Sequence, residues 1–331
     1  MALAQHYIDI GRANADPRFV SYAEATLAPW LKSAHPSPVV LTLAATTRQY
    51  LHRFDEALEL LSRALLLDRL NGQAWLTKAT ILQVQGRFAA AREACRPLIQ
   101  ISGELVALTC LTAVNSLTGK LRSSYDALRS VFTDDPRLTP SVRIWILGQL
   151  ADMAQRSGED GAAEDYFRAA LRVNPADGYV KGDYADLLLR QRRPAEVLQL
   201  LRNDEQQDNL LLRLAIAATQ LHTAQAAALS QAFQARYEAA RRDGDFTHLR
   251  EQARFLLEVR CDPGAALELA RRNWSVQREP ADVRIYRQAA DTAKGTRDLI
   301  QVDDWIQRTH YEDSVLARSA EPARSRTVAA R

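Results

Sequence analysis

Residue types that carry chemistry in proteins are scattered through this sequence of 331 residues. The patterns GxSxG, HExxH and GxGxxG, which mark common hydrolase, zinc-protease and dinucleotide sites, are absent. Gly119-Lys120 matches the end of a phosphate-binding loop, but Val114 stands where that loop needs glycine. The six histidines are dispersed: His6, His35, His52, His222, His248 and His310. We therefore expect no catalytic activity, no bound metal and no cofactor.

The three cysteines, Cys95, Cys110 and Cys261, form no CxxC pair, and an odd number cannot all pair within one chain. A zinc site or a framework of disulfides is therefore not expected. Most of the cysteines should instead be small, buried apolar side chains.

The composition predicts an all-helical protein. The 13 glycines and 12 prolines, which break helices, are few for this length, whereas Ala, Leu, Arg, Glu and Gln are abundant. Apolar residues make up 47% of the chain and charged residues 25%, so a large core is possible.

The formal net charge of +3 lies at the C-terminus. Residues 317–331 hold four arginines and one glutamate, 4 − 1 = +3, so residues 1–316 are formally neutral. A nucleic-acid-binding protein should carry its basic residues on the folded body, so no nucleic acid is expected as a partner. No apolar run reaches the roughly 18 residues of a membrane span.

A repeat of 34 residues organises the chain. Phe54 and Phe88 are 88 − 54 = 34 residues apart, and residues 39–71 align without gaps on residues 73–105. This period is typical of units made of two antiparallel helices. The units are predicted to start near residues 4, 38, 72, 105, 144, 178, 208, 247 and 282. Residues 311–331 are expected to form a basic, disordered tail.

The residue types at the repeated positions have a packing reason. Ala45, Ala79, Ala151, Ala57, Ala91 and Ala163 are expected where the two helices of a unit cross closely. The aromatic residues Phe54, Phe88, Phe167 and Trp75 fill the wider gaps between units. Gly86, Gly119 and Gly158 are expected to end a helix in the left-handed conformation, and His52 occupies the same turn position.

These residues resemble the tetratricopeptide repeat family over roughly residues 4–275. The pattern is most specific in two sets, Trp75, Ala79, Gly86, Phe88 and Ala91, and Leu150, Ala151, Gly158, Ala163, Phe167, Ala170 and Pro175. The resemblance implies an all-α fold, an α–α superhelix of about eight to nine antiparallel helical hairpins that binds partners. Cys95 departs from the family, which has an aromatic residue there.

The whole chain is also similar to a group of bacterial tetratricopeptide proteins of unassigned function. Residues 16–25, 74–88 and 273–282 carry this likeness. Members of that group tend to have an export signal and an additional N-terminal segment. Because no capping residue precedes Ala4, we expect the sequence to be a piece of a longer chain. The location is cytoplasmic for the sequence as it stands, and periplasmic or exported if a signal precedes it.

The inner, concave surface of such a superhelix is lined by the first helix of each hairpin. Positions not needed for packing predict the partner-binding groove: Thr42, Thr46, Gln49, Thr77, Thr80, Gln83, Thr109, Ser116, Trp145, Gln149, Asp152, Gln155, Tyr179, Asp183, Asp186, Arg190 and Arg213. Hydroxyl and amide groups of this kind can bind the backbone of an extended peptide. They can also face solvent or bond to their own helix.

The resulting hypothesis is a non-catalytic scaffold that holds a peptide or helix of another protein, by shape and hydrogen bonds more than by charge. Threonines stand where relatives that grip a terminal carboxylate have Lys and Asn, so acidic tails are not favoured. One alternative is a self-associating structural solenoid, a homodimer through its terminal hairpins. Another is an accessory subunit of a bacterial envelope or membrane-protein complex.

Overall fold

The computed structural model describes residues 1–14, 17–242 and 248–320, and every regular element in these ranges is a helix. In chain order the helices are α1 (Ala2–Asn14), α2 (Pro17–Leu31), α3 (Pro38–Tyr50), α4 (Phe54–Leu67), α5 (Gly72–Val84), α6 (Phe88–Cys95), α7 (Leu98–Ile101), α8 (Glu104–Asn115), α9 (Leu121–Val131), α10 (Pro140–Arg156), α11 (Asp160–Val173), α12 (Gly178–Arg190), α13 (Pro194–Leu200), α14 (Asp208–Gln220), α15 (Ala226–Arg242), α16 (Leu249–Glu258), α17 (Pro263–Trp274), α18 (Pro280–Thr292), α19 (Thr296–Thr309) and α20 (Ser314–Ala320).

The helices pair in sequence order into antiparallel hairpins that stack into a superhelix. Hairpins 1 to 9 are α1/α2, α3/α4, α5/α6, α8/α9, α10/α11, α12/α13, α14/α15, α16/α17 and α18/α19. The predicted fold class, an all-α superhelix of eight to nine hairpins, is confirmed. The alanines expected at the helix crossings are buried, because a larger side chain would force the paired helices apart.

The turn inside each hairpin from 2 to 9 contains one residue with a positive φ angle. These residues are His52, Gly86, Gly119, Gly158, Arg192, His222, Cys261 and Lys294. The expected left-handed conformation is confirmed for the three glycines, at φ 73°, 73° and 82°. His52 adopts φ 54° at the same place. The backbone turn is therefore kept even where a side chain makes it less favourable.

The sequence predicts no framework of disulfides, and small buried apolar side chains for most of the cysteines, but one pair of cysteines is bonded. Cys95 at the end of α6 and Cys110 in α8 form a disulfide, with Cα atoms 5.7 Å apart. Both side chains are buried, and Cys261 is free and exposed. The bond joins two consecutive hairpins at the position where related repeats have an aromatic residue. The bond therefore links hairpin 3 covalently to hairpin 4.

The superhelix closes on itself, because its last hairpin packs against hairpin 3. The indole of Trp305 in α19 lies 6.1 Å from the ring of Phe88 in α6, measured between centroids. The N–H of Arg278, in the loop before α18, donates to the carbonyl of Val84 at 2.7 Å. Apolar residues of α5, α6 and α8 therefore share one core with residues of α16 to α19.

Residues 311–316, which the sequence predicts to begin a disordered tail, pack against the folded hairpins instead. Tyr311 is buried, and Glu312 accepts the N–H of Leu121 at 2.8 Å, at the first residue of α9. Asp313 forms an ion pair with Arg284 at 2.7 Å, and α20 lies against α10. The segment up to residue 320 is thus part of the folded body, and residues 321–331 lie outside the described residues.

Candidate functional site on the inner face

The predicted groove residues lie on six consecutive first helices, α3, α5, α8, α10, α12 and α14. Several of the hydroxyls donate to a carbonyl one turn earlier in the same helix: Thr42 to Pro38, Thr46 to Thr42, Thr80 to Leu76 and Thr109 to Leu105. Each of these hydroxyls therefore has its proton engaged and offers a partner only the lone pairs of its oxygen.

Burial divides the predicted residues into three groups. The buried members are Thr42, Thr77, Thr109, Ser116, Gln155 and Arg213. The half-buried members are Thr46, Gln49, Thr80, Gln83, Trp145, Gln149, Asp152, Asp186 and Arg190. Tyr179 and Asp183, both in α12, are exposed, Tyr179 to 45%. Free contact area on the inner face is thus concentrated on α12, with partly accessible groups on α3, α5 and α10.

An ion-pair network crosses three first helices on this face. Asp186 of α12 accepts from Arg213 of α14 at 2.7 Å and from Arg254 of α16 at 2.5 Å. Burial alone would raise the pKa of Asp186, but the two guanidinium charges hold it well below its usual range. The network fixes the relative positions of α12, α14 and α16.

A second network surrounds a buried arginine that the sequence analysis did not single out. Arg156, 1% exposed at the end of α10, pairs with Asp152 and donates to the carbonyl and hydroxyl oxygens of Ser116. Its guanidinium also lies 5.8 Å from the centroid of the Tyr311 ring. Arg254 was missed in the same way. Tyr311 and Asp186, which these two arginines meet, lie far from them in the sequence, and no local pattern signals such contacts.

Opposite walls of the superhelix approach each other at the inner face. The Tyr179 hydroxyl of α12 interacts electrostatically with Tyr50 of α3 and Arg12 of α1, and α1 contacts α12 directly. His52, in the turn after α3, lies near His248. Burial, together with the charges of His248 and Arg250, lowers the pKa of His52 to about 4. His52 is therefore neutral at physiological pH and has the environment of a packed turn residue.

Asp183 differs from the other carboxylates of the inner face because it has no hydrogen-bonding or ion-pair partner among the described residues. Protein surrounds it inside the superhelix, although its side chain is accessible to water. The surrounding protein removes part of the water that would stabilise the ionised carboxylate. This desolvation by burial, together with the negative charge of Asp186, raises the pKa of Asp183 to about 7, against the opposing effects of Arg213 and Arg250. Tyr179 lies one helical turn before it on the same face of α12.

A search of solved structures finds related folds at low sequence identity. The structure of the human IFIT1 dimer with PPP-AAAA matches over 83% of this chain and 69% of that one, with 14% identity and a TM-score of 0.51. A tetratricopeptide repeat protein from Parabacteroides merdae matches over 86% of this chain and 95% of its own, with 13% identity and a TM-score of 0.38. A chain of the APC/C hetero-tetramer Cut9–Hcn1 matches over 87% of this chain and 48% of its own, with 14% identity and a TM-score of 0.39. This chain therefore spans about half the length of that one.

The fold is a tetratricopeptide-like solenoid. No protein-family model matches the chain. A search of curated proteins also finds no match. Within the described part of the solenoid, no cluster of three or more His, Cys, Asp or Glu side chains is placed to hold a metal ion. None of its described helices combines the length and the apolar character needed to cross a bilayer.

Proposed function

We propose that this protein is a non-catalytic scaffold that binds an extended segment of a partner protein on the inner face of the solenoid. The observation that carries the proposal is the pair formed by Tyr179 and Asp183. Both are exposed on α12, and Asp183 lacks a partner, whereas Asp152 and Asp186 are paired within the fold. The half-buried Thr and Gln groups of α3 and α5 supply further hydrogen-bonding positions.

The chemistry of this pair favours a basic side chain of the partner. An ionised Asp183 can accept charge-assisted hydrogen bonds from a lysine or arginine. The ring of Tyr179, one turn away, can lie against the same cation, an interaction worth about 0.5–2 kcal/mol. The partner segment is thus expected to carry a lysine or arginine flanked by residues that contact the inner face through their backbone. Charge then contributes more to recognition than the Thr and Gln positions alone suggest.

The unpaired carboxylate also destabilises the free protein at neutral and alkaline pH. A pKa raised from the usual value near 4 to about 7 means that the folded state binds a proton more tightly than the unfolded state. The contribution of Asp183 to stability therefore becomes more favourable as the pH falls from about 7 towards about 4. A group that weakens the fold in this way is a candidate for a role in binding.

Replacing Asp183 with Asn tests both the effect of the carboxylate on stability and its role in binding a basic side chain. The variant is expected to have a higher Tm than the wild type at about pH 8.5 and the same Tm at about pH 4.5, because only the ionised carboxylate is unfavourable. Its affinity for basic peptides should fall about tenfold, the loss of one charged hydrogen bond. Affinity of the wild type should increase as the pH rises through about 7.

The binding measurement uses two fluorescent peptides of about ten residues that differ only in a central Lys-Lys or Glu-Glu pair. The wild type should prefer the lysine peptide. Asp208→Asn provides the control, since Asp208 is exposed and already paired with Arg236 of α15. Equal affinity for the two peptides, or undiminished lysine-peptide binding by Asp183→Asn, would refute the proposal.

A self-associating solenoid is the second candidate, and an exposed apolar row favours it. Large apolar side chains are exposed at the ends of the second helices of hairpins 1 to 4, or in the segments that follow them: Trp30, Leu66, Leu67, Leu70, Ile99 and Val131. Leu66 is 78% exposed. A second copy of the chain covering this row would give a dimer that Leu66→Glu with Leu70→Glu converts to a monomer in light scattering. A wild-type monomer at all concentrations would exclude this candidate.

A further inference from the structure

A cavity of about 520 Å³ opens where the last hairpin meets hairpin 3. Its walls come from the turn before α6 and the first turn of α6, from the turn after α8, and from the end of α19. The polar side chains that line it are Arg87, Arg92, Thr118, Arg308, Thr309 and His310. Neither Tyr179 nor Asp183 lines this cavity.

The three arginines of this cavity have no carboxylate partner in the described ranges. Arg92 donates to the Thr118 hydroxyl at 3.2 Å, and Arg308 donates to a backbone carbonyl of its own helix. Arg87 reaches only the side-chain oxygen of Gln85, at 3.4 Å. No acidic residue lines the cavity. Three arginines thus line one open surface pocket that has no acidic residue in its lining.

The backbone adds to this positive potential. Helix α6 begins at Phe88, and Arg87 at its N-cap position makes no side-chain capping bond. The N–H groups of Phe88, Ala89 and Ala90 therefore point out of the helix without intrahelical acceptors. The positive end of the helix dipole faces the same cavity. Amide groups arranged in this way bind oxyanions.

A fourth arginine lies next to this wall of the cavity. The side chain of Arg278 approaches Gly86, where an added Cβ would lie 3.4 Å from its Cδ. Its Nε is buried without a hydrogen-bonding partner, and its guanidinium stacks over Trp274. Burial, reinforced by the positive charge of Arg308, lowers the pKa of Arg278. The closure of the superhelix is therefore rich in cations that lack an anion.

We propose that this cavity binds a phosphate group, held by Arg87, Arg92 and Arg308 and by the free N–H groups at the start of α6. Guanidinium groups match the geometry of phosphate oxygens and can bind them in pairs. The phosphate would bridge hairpin 3 and hairpin 9, so binding should also stabilise the closed superhelix. The phosphate group can belong to a small molecule or to a phosphorylated side chain.

Thermal unfolding and calorimetry with inorganic phosphate and O-phosphoserine, against chloride at matched ionic strength, test the proposal. Phosphate should raise the Tm of the wild type and bind with measurable heat. Arg92→Gln with Arg308→Gln should weaken binding at least about tenfold. Arg96→Gln, which changes an exposed arginine paired with Glu93 at the end of α6, should bind like the wild type.

The two probes distinguish the sources of the phosphate. Tighter binding of O-phosphoserine indicates a phosphorylated side chain, and tighter binding of inorganic phosphate indicates a small molecule. Arg87→Gln alone provides a second test if the double variant unfolds, because Arg87 is exposed. The proposal would be overturned if phosphate raised the Tm no more than chloride does. It would also be overturned if the arginine variants bound phosphate as tightly as the wild type. Asp183→Asn should bind phosphate normally, so the test is independent of the inner face.

Discussion

Replacing Asp186 with Ala should lower the free energy of unfolding by about 3 kcal/mol, because it removes the shared partner of two buried arginines. The side chains of Arg213 and Arg254 are only 10% and 12% exposed, so neither can recover full hydration. Arg254 keeps its pair with Glu258, and Arg213 keeps its bond to the carbonyl of Asn209. These remaining contacts place the expected loss at the lower end of the range for a broken buried pair.

Urea unfolding followed by circular dichroism measures this loss for Asp186→Ala. Asp208→Ala is the matched control, since it removes an exposed pair between α14 and α15 and should change stability by less than about 1 kcal/mol. The pKa of Asp186 is held low, so its contribution is present at neutral pH and is lost only under strongly acidic conditions. Equal effects of the two substitutions would show that the network does not hold the three helices together.

Replacing Trp305 with Ala should lower the free energy of unfolding by about 3–5 kcal/mol and open the superhelix. The indole is buried between Trp274 and Tyr311, at centroid distances of 5.3 and 5.6 Å, and it contacts Phe88 across the closure. The cavity left by the substitution lies between hairpins 3 and 9. Hairpins 3 and 9 thereby lose the contact between the rings of Phe88 and Trp305.

Two measurements separate these effects of Trp305→Ala. Urea unfolding reports the stability, and small-angle scattering under native conditions should show a larger radius of gyration than in the wild type. Trp30→Ala removes an indole that is 53% exposed, and it should change stability by only about 0.5 kcal/mol. An unchanged radius of gyration would mean that Arg278 and residues 311–316 maintain the closure without the indole.

The hairpin arrangement could be predicted from the sequence because its determinants are local. Close helix crossings need small residues, so Ala45 and Ala79 recur at the repeat period. Tight turns favour glycine, which identifies Gly86 and Gly158. The proposed inner-face position of Asp183 rests on the same periodicity. These signals recur within each unit of about 34 residues, so they can be recognised from the sequence alone.

The contacts between different hairpins could not be predicted in the same way. Arg254 meets Asp186 across 68 positions, and Arg278 meets Val84 from a hairpin far along the chain. Such contacts depend on the small rotation between successive hairpins, added over the whole stack. The Cys95–Cys110 bond depends on how α6 and α8 face each other. The unpaired state of Asp183 is likewise visible only when all neighbouring helices are in place.

The closure also limits how this protein can change its length during evolution. In an open solenoid each repeat contacts only its neighbours, so a hairpin can be gained or lost without disturbing distant parts. Here, one additional hairpin between α6 and α18 would displace the last hairpin by the rotation and translation of one whole repeat. Arg278 would then no longer meet Val84, and Trp305 would no longer meet Phe88. Duplication of hairpins is thus compatible with the closed form only outside this interval.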